Sequence, residues 1–200
     1  MHNLSLFVIG VLLAGAVAAA DFEVGDRLQP AQADGGPAEQ GGGAASYQEL
    51  TWDDLLPADW DPMQAFEGID LNELADLDDA DPRADAALEK LKAMWNDAPA
   101  NPAVAGKAIR IPGFLVPLEY GDQAVTEFLL VPYFGACIHV PPPPANQIIH
   151  VKAAEPYATE SYMDAVWVQG VIELAKSQTD LGDSGYRLDA DTVERYEEPR

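Results

Sequence analysis

The sequence predicts a mainly β chain with a helical N-terminal part, α+β by class, and three observations support this. The hydrophobic period changes from helical to two after Gly106. Five short runs rich in β-branched and aliphatic residues follow, separated by turn residues. Before Gly106, Asp81-Pro82 opens a stretch whose apolar residues recur at helical spacing. With 200 residues, 48% of them hydrophobic and 22% charged, the composition is that of a soluble globular protein.

Leu4 to Ala20 is almost unbroken apolar, and the chain turns acidic at Asp21. Ala16-Val17-Ala18 and Ala18-Ala19-Ala20 are small-x-small cleavage patterns, so residues 1–20 are expected to be a signal peptide. An uncleaved anchor is the alternative, for which the run is at the short limit of a span. A periplasmic or secreted location follows, and the sole cysteine, Cys137, would then meet an oxidising compartment. Residues 21–46 are expected to form a flexible tether. Gln29 to Ser46 in particular is built mostly from Gly, Ala, Pro and Gln, too poor in large apolar residues to offset its ordering entropy.

The remainder, 47–200, is expected to be one β-rich domain with helices at about 47–100 and a barrel at about 106–198. Glu49 to Pro57 reads as one amphipathic turn ended by proline. Asp81-Pro82 reads as N-cap and first position of a helix through about Asn96, with Ala87, Leu88, Leu91, Met94 and Trp95 as its core stripe. Asp76 to Asp81 looks like a calcium loop, but Ala80 and Ala87 stand where ligands belong; a solvated acidic face is the better reading. The predicted strands are Lys107–Val116, Val125–Val131, Ile148–Val151, Ala165–Leu174 and Tyr186–Leu188, with Ala190 to Tyr196 a last helical turn or edge segment. Five short strands with helical decoration predict a small antiparallel OB-like barrel.

Asp and Glu number 34 against 11 Lys and Arg, a formal net charge of -23. A phosphate backbone or an anionic membrane surface would be repelled, so neither nucleic acid nor such a surface is expected as a partner. A single cysteine excludes an intrachain disulfide framework and a multi-cysteine zinc ribbon. There is no G-x-S-x-G and no phosphate-binding glycine loop.

One stretch could carry chemistry: Tyr133 to Gln147, YFGACIHVPPPPANQ. In an extended segment Cys137 and His139 share one face. If the four-proline run turns the next strand back beside the first, His150 joins them. A thiolate with one or two imidazoles suits Zn²⁺ or copper, and Glu119 and Glu127 are the acidic candidates to complete the shell. Three readings of Cys137 stay open: a metal ligand, a buried small hydrophobe, and a nucleophilic or redox-sensing thiol. Independently, a stiff polyproline surface at Pro142, Pro143 and Pro144, flanked by Tyr133 and Phe134, could dock a protein partner.

Ile109 to Glu119, followed by Glu127 to Gln147 with its CIHVPPPPAN run, resembles a family of small exported bacterial proteins, domain of unknown function 3299. Leu50 to Pro57 and Val168 to Val171 are similar to that family as well, so the resemblance covers about Tyr47 to Tyr196. It implies an envelope accessory role beside ABC-transporter components with a suspected metal link, and implies Cys137, His139 and Asn146 as site residues; an enzyme with a Cys137 nucleophile is the third reading, after metal binding and a pure interaction module. His150 rests on strand alternation alone.

Overall fold

The computed structural model describes residues 22–28, 46–61, 81–118, 124–139 and 142–197. The expected signal peptide, the expected tether from Gln29 to Ala45, the acidic stretch Asp76 to Ala80, Glu119, and the side chains of Ala87, Leu88 and Leu91 lie outside the described residues.

The chain is mainly β. A two-residue strand β1 (Gln48–Glu49) precedes helix α1 (Pro82–Asn96); then come β2 (Ala108–Pro117), β3 (Ala124–Val131), β4 (Ile149–Ala158), β5 (Ala165–Thr179) and β6 (Gly182–Arg195). Their order is β1-β2-β3-β4-β6-β5, and β2 also pairs with β5 from Ala108↔Val171 to Phe114↔Ala165. That pairing closes β2 to β6 into a five-stranded barrel and removes the open edges a flat sheet would present. The expected antiparallel sheet is corrected to a mixed one: β4 runs parallel to β6, and β1 runs parallel to β2. Alternation along a strand does not encode its direction relative to a neighbour, which is why the sequence could not distinguish the two.

Two strands are much longer than their hydrophobic runs. β5 continues to Thr179 and β6 covers Gly182–Arg195, joined by a tight turn in which the Thr179 hydroxyl donates to Gly182 O. Ala190 to Arg195 is therefore strand, not a helical turn. Polar alternation along this ribbon hid its length, because its far half is largely solvated.

The period-2 pattern sorts the barrel residues. Ile109, Ile111, Leu115, Phe128, Leu130, Ile149, Val151, Val166, Val168, Ile172 and Leu188 fill one cluster with Trp52, Leu55 and Tyr186. Alternate residues Phe114, Val116, Leu129, Val131 and Trp167 form a second cluster with Leu28, Ala136, Ile148, Met163 and Tyr196. β2 and β3 are thus buried on both faces where they approach the 132–148 loop. Each large aliphatic or aromatic side chain so buried contributes roughly 1.5–3 kcal/mol.

Thr51 opens a 3₁₀ turn, Trp52–Leu55, with a reciprocal capping box to Asp54. Trp52 Nε1–H donates to Pro112 O at 2.7 Å, and the Tyr186 hydroxyl donates to Leu55 O at 2.6 Å while accepting from Asn101 N–H at 2.5 Å. These bonds tie the pre-barrel segment across the barrel end. Helix α1 has the expected start, with Asp81 accepting from Arg83 N–H and Pro82 in the first turn; Met94 and Trp95 are half-buried.

Residues 22–28, expected to be part of the tether, are packed instead. Gly25 N–H donates to Phe134 O, Phe134 N–H donates to Asp26 O, and Leu28 is buried in the second cluster. Phe22 packs edge-on against Phe114, with ring centroids 5.1 Å apart. Composition marks Gln29 onwards as linker, but the short FEVGDRL strap ahead of it carries enough apolar surface to dock.

Gly170 sits at a register shift between β5 and β6, where a Cβ would lie 2.7 Å from Ala190 Cα and would also collide with Asp189 O. Gly170→Ala should therefore lower unfolding free energy by about 3 kcal/mol or more, read as a drop in urea midpoint. An unchanged midpoint would mean the two strands do not approach this closely.

Candidate functional site

The 132–148 loop leaves β3 and returns to β4. At its start the chain coils into a turn rather than extending: Ile138 and His139 N–H both donate to Gly135 O, at 3.3 and 2.8 Å. Gly135 and Cys137 adopt positive φ, +88° and +65°. Glycine enters that region freely, whereas Cys137 is the only non-glycine residue with positive φ among the described residues, a conformation its neighbours must impose. Gly135 N–H also donates to Met163 Sδ at 3.2 Å. The strap lies across the outside of this turn, with Arg27 bridged to Tyr133 and its guanidinium 5.8 Å from the Tyr133 ring centroid.

The expectation that Cys137 and His139 share one strand face is corrected, because this segment is not a strand. Cys137 is half-buried among the second cluster, next to the β5–β6 turn: a Cβ at Gly182 would be 3.7 Å from its Sγ and 3.1 Å from Pro142 Cβ. Burial pushes the thiol up to about 12, so at neutral pH it is the protonated, non-nucleophilic form. Tyr133 is also raised, by burial first and then by the nearby Cys137. His139 is exposed.

His150 lies elsewhere, on β4 opposite Leu129 of β3. It is 9% exposed, and its Nε2 is 2.8 Å from Glu127 Oε1, without the direction of a hydrogen bond. Lys152 Nζ is 3.5 Å from the same oxygen. Glu127 is thus engaged by two cationic or cationisable neighbours on its own strand pair. Among the described residues no three His, Cys, Asp or Glu are grouped to hold a metal ion. His150 and Glu127 therefore stand together but without Cys137 and His139, which the alternation reading had brought to His150, and Glu119 lies outside the described residues.

The proline run is also corrected as an exposed edge. Pro143 is buried, while Pro142 and Pro144 are half-buried. A 3₁₀ turn, Ala145–Gln147, follows with all three residues buried. Asn146 is fully buried and its Nδ2 donates to Pro99 O at 3.1 Å; Gln147 Nε2 donates to Trp52 O at 2.8 Å. Asn146 is out of a partner's reach and instead pins the loop to the segment after α1. Sequence reasoning missed the strap, Met163 and Tyr186. Only Tyr186 left a signal, as an aromatic in a short β-run.

A loop held by buried amides, with a half-buried thiol and a packed proline run, thus lies over a mixed five-stranded barrel. The chain belongs to the family described as "Protein of unknown function (DUF3299)", whose model matches residues 52–195. Among solved structures it is similar to a DUF3299 family protein, PA4066, from Pseudomonas aeruginosa PAO1. The two are 36% identical over 78% of this chain and 100% of that chain, with a TM-score of 0.59. No curated protein matches.

The raised thiol sets a pH signature. In the folded protein Cys137 holds its proton more tightly than in the unfolded chain, so its contribution is intact below about pH 9 and is lost as pH climbs towards 12. Across that window wild type should lose roughly 2–4 kcal/mol more stability than Cys137→Ser, whose tyrosines titrate alike. Parallel urea melts measure the difference; matching slopes would place the thiol in water.

Proposed function

We propose that the protein is an exported, non-catalytic accessory protein of the cell envelope that works by docking another envelope protein, with Cys137 a structural thiol. The half-buried, neutral state of that thiol carries this reading: it lacks the thiolate a nucleophile needs. The apolar Leu4 to Ala20 run with its small-x-small endings supports export. The net charge of -23 favours a protein partner over nucleic acid or anionic lipid. A component of an ABC-transport system is the partner that family resemblance supports.

The finer architecture belongs to the same reading. Numbering the barrel strands one to five from β2 to β6, their closed order is 1-2-3-5-4-1, with three and five parallel. This supports an OB-like barrel, a fold whose outer faces and loops do the binding. The whole domain, 47–200, would then be one binding module hung on a linker from Gln29.

Transition-metal binding by Zn²⁺ or copper is the second reading, favoured by exposed His139 two positions from Cys137. The donors do not fit a closed shell: beside Cys137 and the exposed His139 no third donor is grouped among the described residues.

Elemental analysis of the purified mature protein separates the two. Metal content should be far below one atom per chain in wild type and Cys137→Ser alike, and Cys137→Ser should complement a deletion strain. A wild-type stoichiometry near one that Cys137→Ser abolishes would replace docking with metal binding.

A further inference from the structure

Phe22 to Leu28 occupy a groove in the barrel wall. Its floor is the fully buried Phe114 ring, set edge-to-face against Phe134 with centroids 5.5 Å apart, and its rim is the Tyr133–Gly135 backbone. We propose that the strap is a displaceable occupant of this groove, and that the partner inserts a segment of the same chemistry in its place, an inference that rests on the docking reading and names its surface. The segment is an aromatic residue, a glycine-bearing β-turn, and an aliphatic residue after it.

The strap is held as a foreign peptide would be. Gly25 N–H donates to Phe134 O and Phe134 N–H donates to Asp26 O, both at 2.9 Å, a main-chain pairing indifferent to side chains. Selectivity comes from the two ends. Phe22 packs against Phe114 at 5.1 Å and against Phe134 at 6.1 Å between centroids, and Leu28 is buried. Between these anchors the chain turns, with Asp26 N–H donating to Glu23 O and Gly25 at φ +98°. Side chains disfavour that φ, which puts glycine in the motif. Gly135 is constrained from the other side, since a Cβ there would stand 3.0 Å from Val24 Cγ1.

The hold is light. Glu23 to Arg27 are all exposed, Val24 by 54%, so two anchors and two backbone bonds must offset the ordering entropy of the whole strap. Segments with so few buried contacts open locally while the remainder stays folded. Residues 29–45 separate the strap from Ser46 and could extend to about 60 Å, so its departure pulls on no barrel strand. With cleavage near residues 18–20, as the export reading has it, the strap is the mature N-terminus and is joined to the domain at one end only. Its departure uncovers two aromatic rings and leaves the Phe134 N–H and C=O unpaired, and another occupant restores both.

A partner is favoured over a second copy of the chain. The linker gives the strap a local concentration on the order of 1 mM, and a second copy offers the same residues without that advantage. A foreign segment that also buries the position of Val24 gains contact that the strap forgoes.

Fluorescence anisotropy of a labelled peptide, DFEVGDRL, against the mature full chain tests the exchange. Phe22→Ala in the chain weakens the competing strap, so the peptide should bind that chain roughly tenfold or more tighter than wild type. The peptide carrying Phe22→Ala should bind neither chain, which separates the groove from unspecific association with exposed apolar surface. In wild type the Gly25 and Phe134 amides should exchange hydrogen at least tenfold faster than the amides of the β3–β4 ladder, a readout independent of how the variant folds. Equal peptide affinity for both chains, no binding to either, binding of the alanine peptide, or strap amides exchanging only at the ladder's rate would overturn the proposal. So would a wild-type dimer in light scattering that Phe22→Ala abolishes, because a second copy would then be the occupant. Each of these failures leaves the docking reading to metal content and complementation, which do not depend on the strap.

Discussion

The pairing of β2 with β5 is the constraint on which the rest of the molecule depends. It turns a six-stranded sheet into a ring, and a five-stranded ring is narrow enough for its own side chains to fill. Ile109, Ile111, Leu115, Phe128, Leu130, Ile149 and Val168 are fully buried in that filling. With the interior so occupied, the outward residues become the informative ones. At one end these too are apolar, and Phe114, Val116, Leu129 and Val131 need cover. The strap from Phe22 to Leu28 and the 132–148 loop supply it. Neither could be released without exposing aromatic and aliphatic surface of the kind that drives association.

The most distinctive run in the sequence accordingly serves as a clasp. Stiff prolines carry the chain past the hairpin turn, Asn146 and Gln147 hand their amide protons to Pro99 and Trp52 carbonyls, and the Tyr186 hydroxyl bonds on to Leu55 and Asn101. Loop, pre-barrel segment and barrel become one unit through backbone acceptors that would otherwise be left bare. An amide at Asn146 and at Gln147 thus has a packing role: no apolar side chain could satisfy those carbonyls.

Much of the fold was legible because hydrophobic alternation is a direct imprint of burial. Ile109 and Ile111, Phe128 and Leu130, Ile149 and Val151 announced their strands, and Asp81-Pro82 announced the start of α1. Strand direction was not legible, since parallel and antiparallel neighbours share the same alternation. The length of the β5–β6 ribbon was hidden because solvated residues beyond Leu174, such as Lys176 and Gln178, look like loop. The site failed for a different reason. Placing Cys137 and His139 on one face assumed extended backbone, whereas Gly135 opens a turn with two bonds to its own carbonyl. Asn146 and Pro143 looked accessible because polar and proline-rich stretches usually lie on the surface; here Asn146 turns inward to bond the Pro99 carbonyl, and Pro143 is buried in the same loop.

The setting of Cys137 has a consequence for life as an unpaired sulfur. A chain with one cysteine cannot protect it in an internal bridge, so any oxidant it meets could couple two molecules or attach a small thiol to one. Partial shelter beneath the proline run, together with a proton held to about 12, suppresses the anion that starts such exchange. The chain thus accepts a left-handed non-glycine residue at the place where its one thiol is held in its less reactive form.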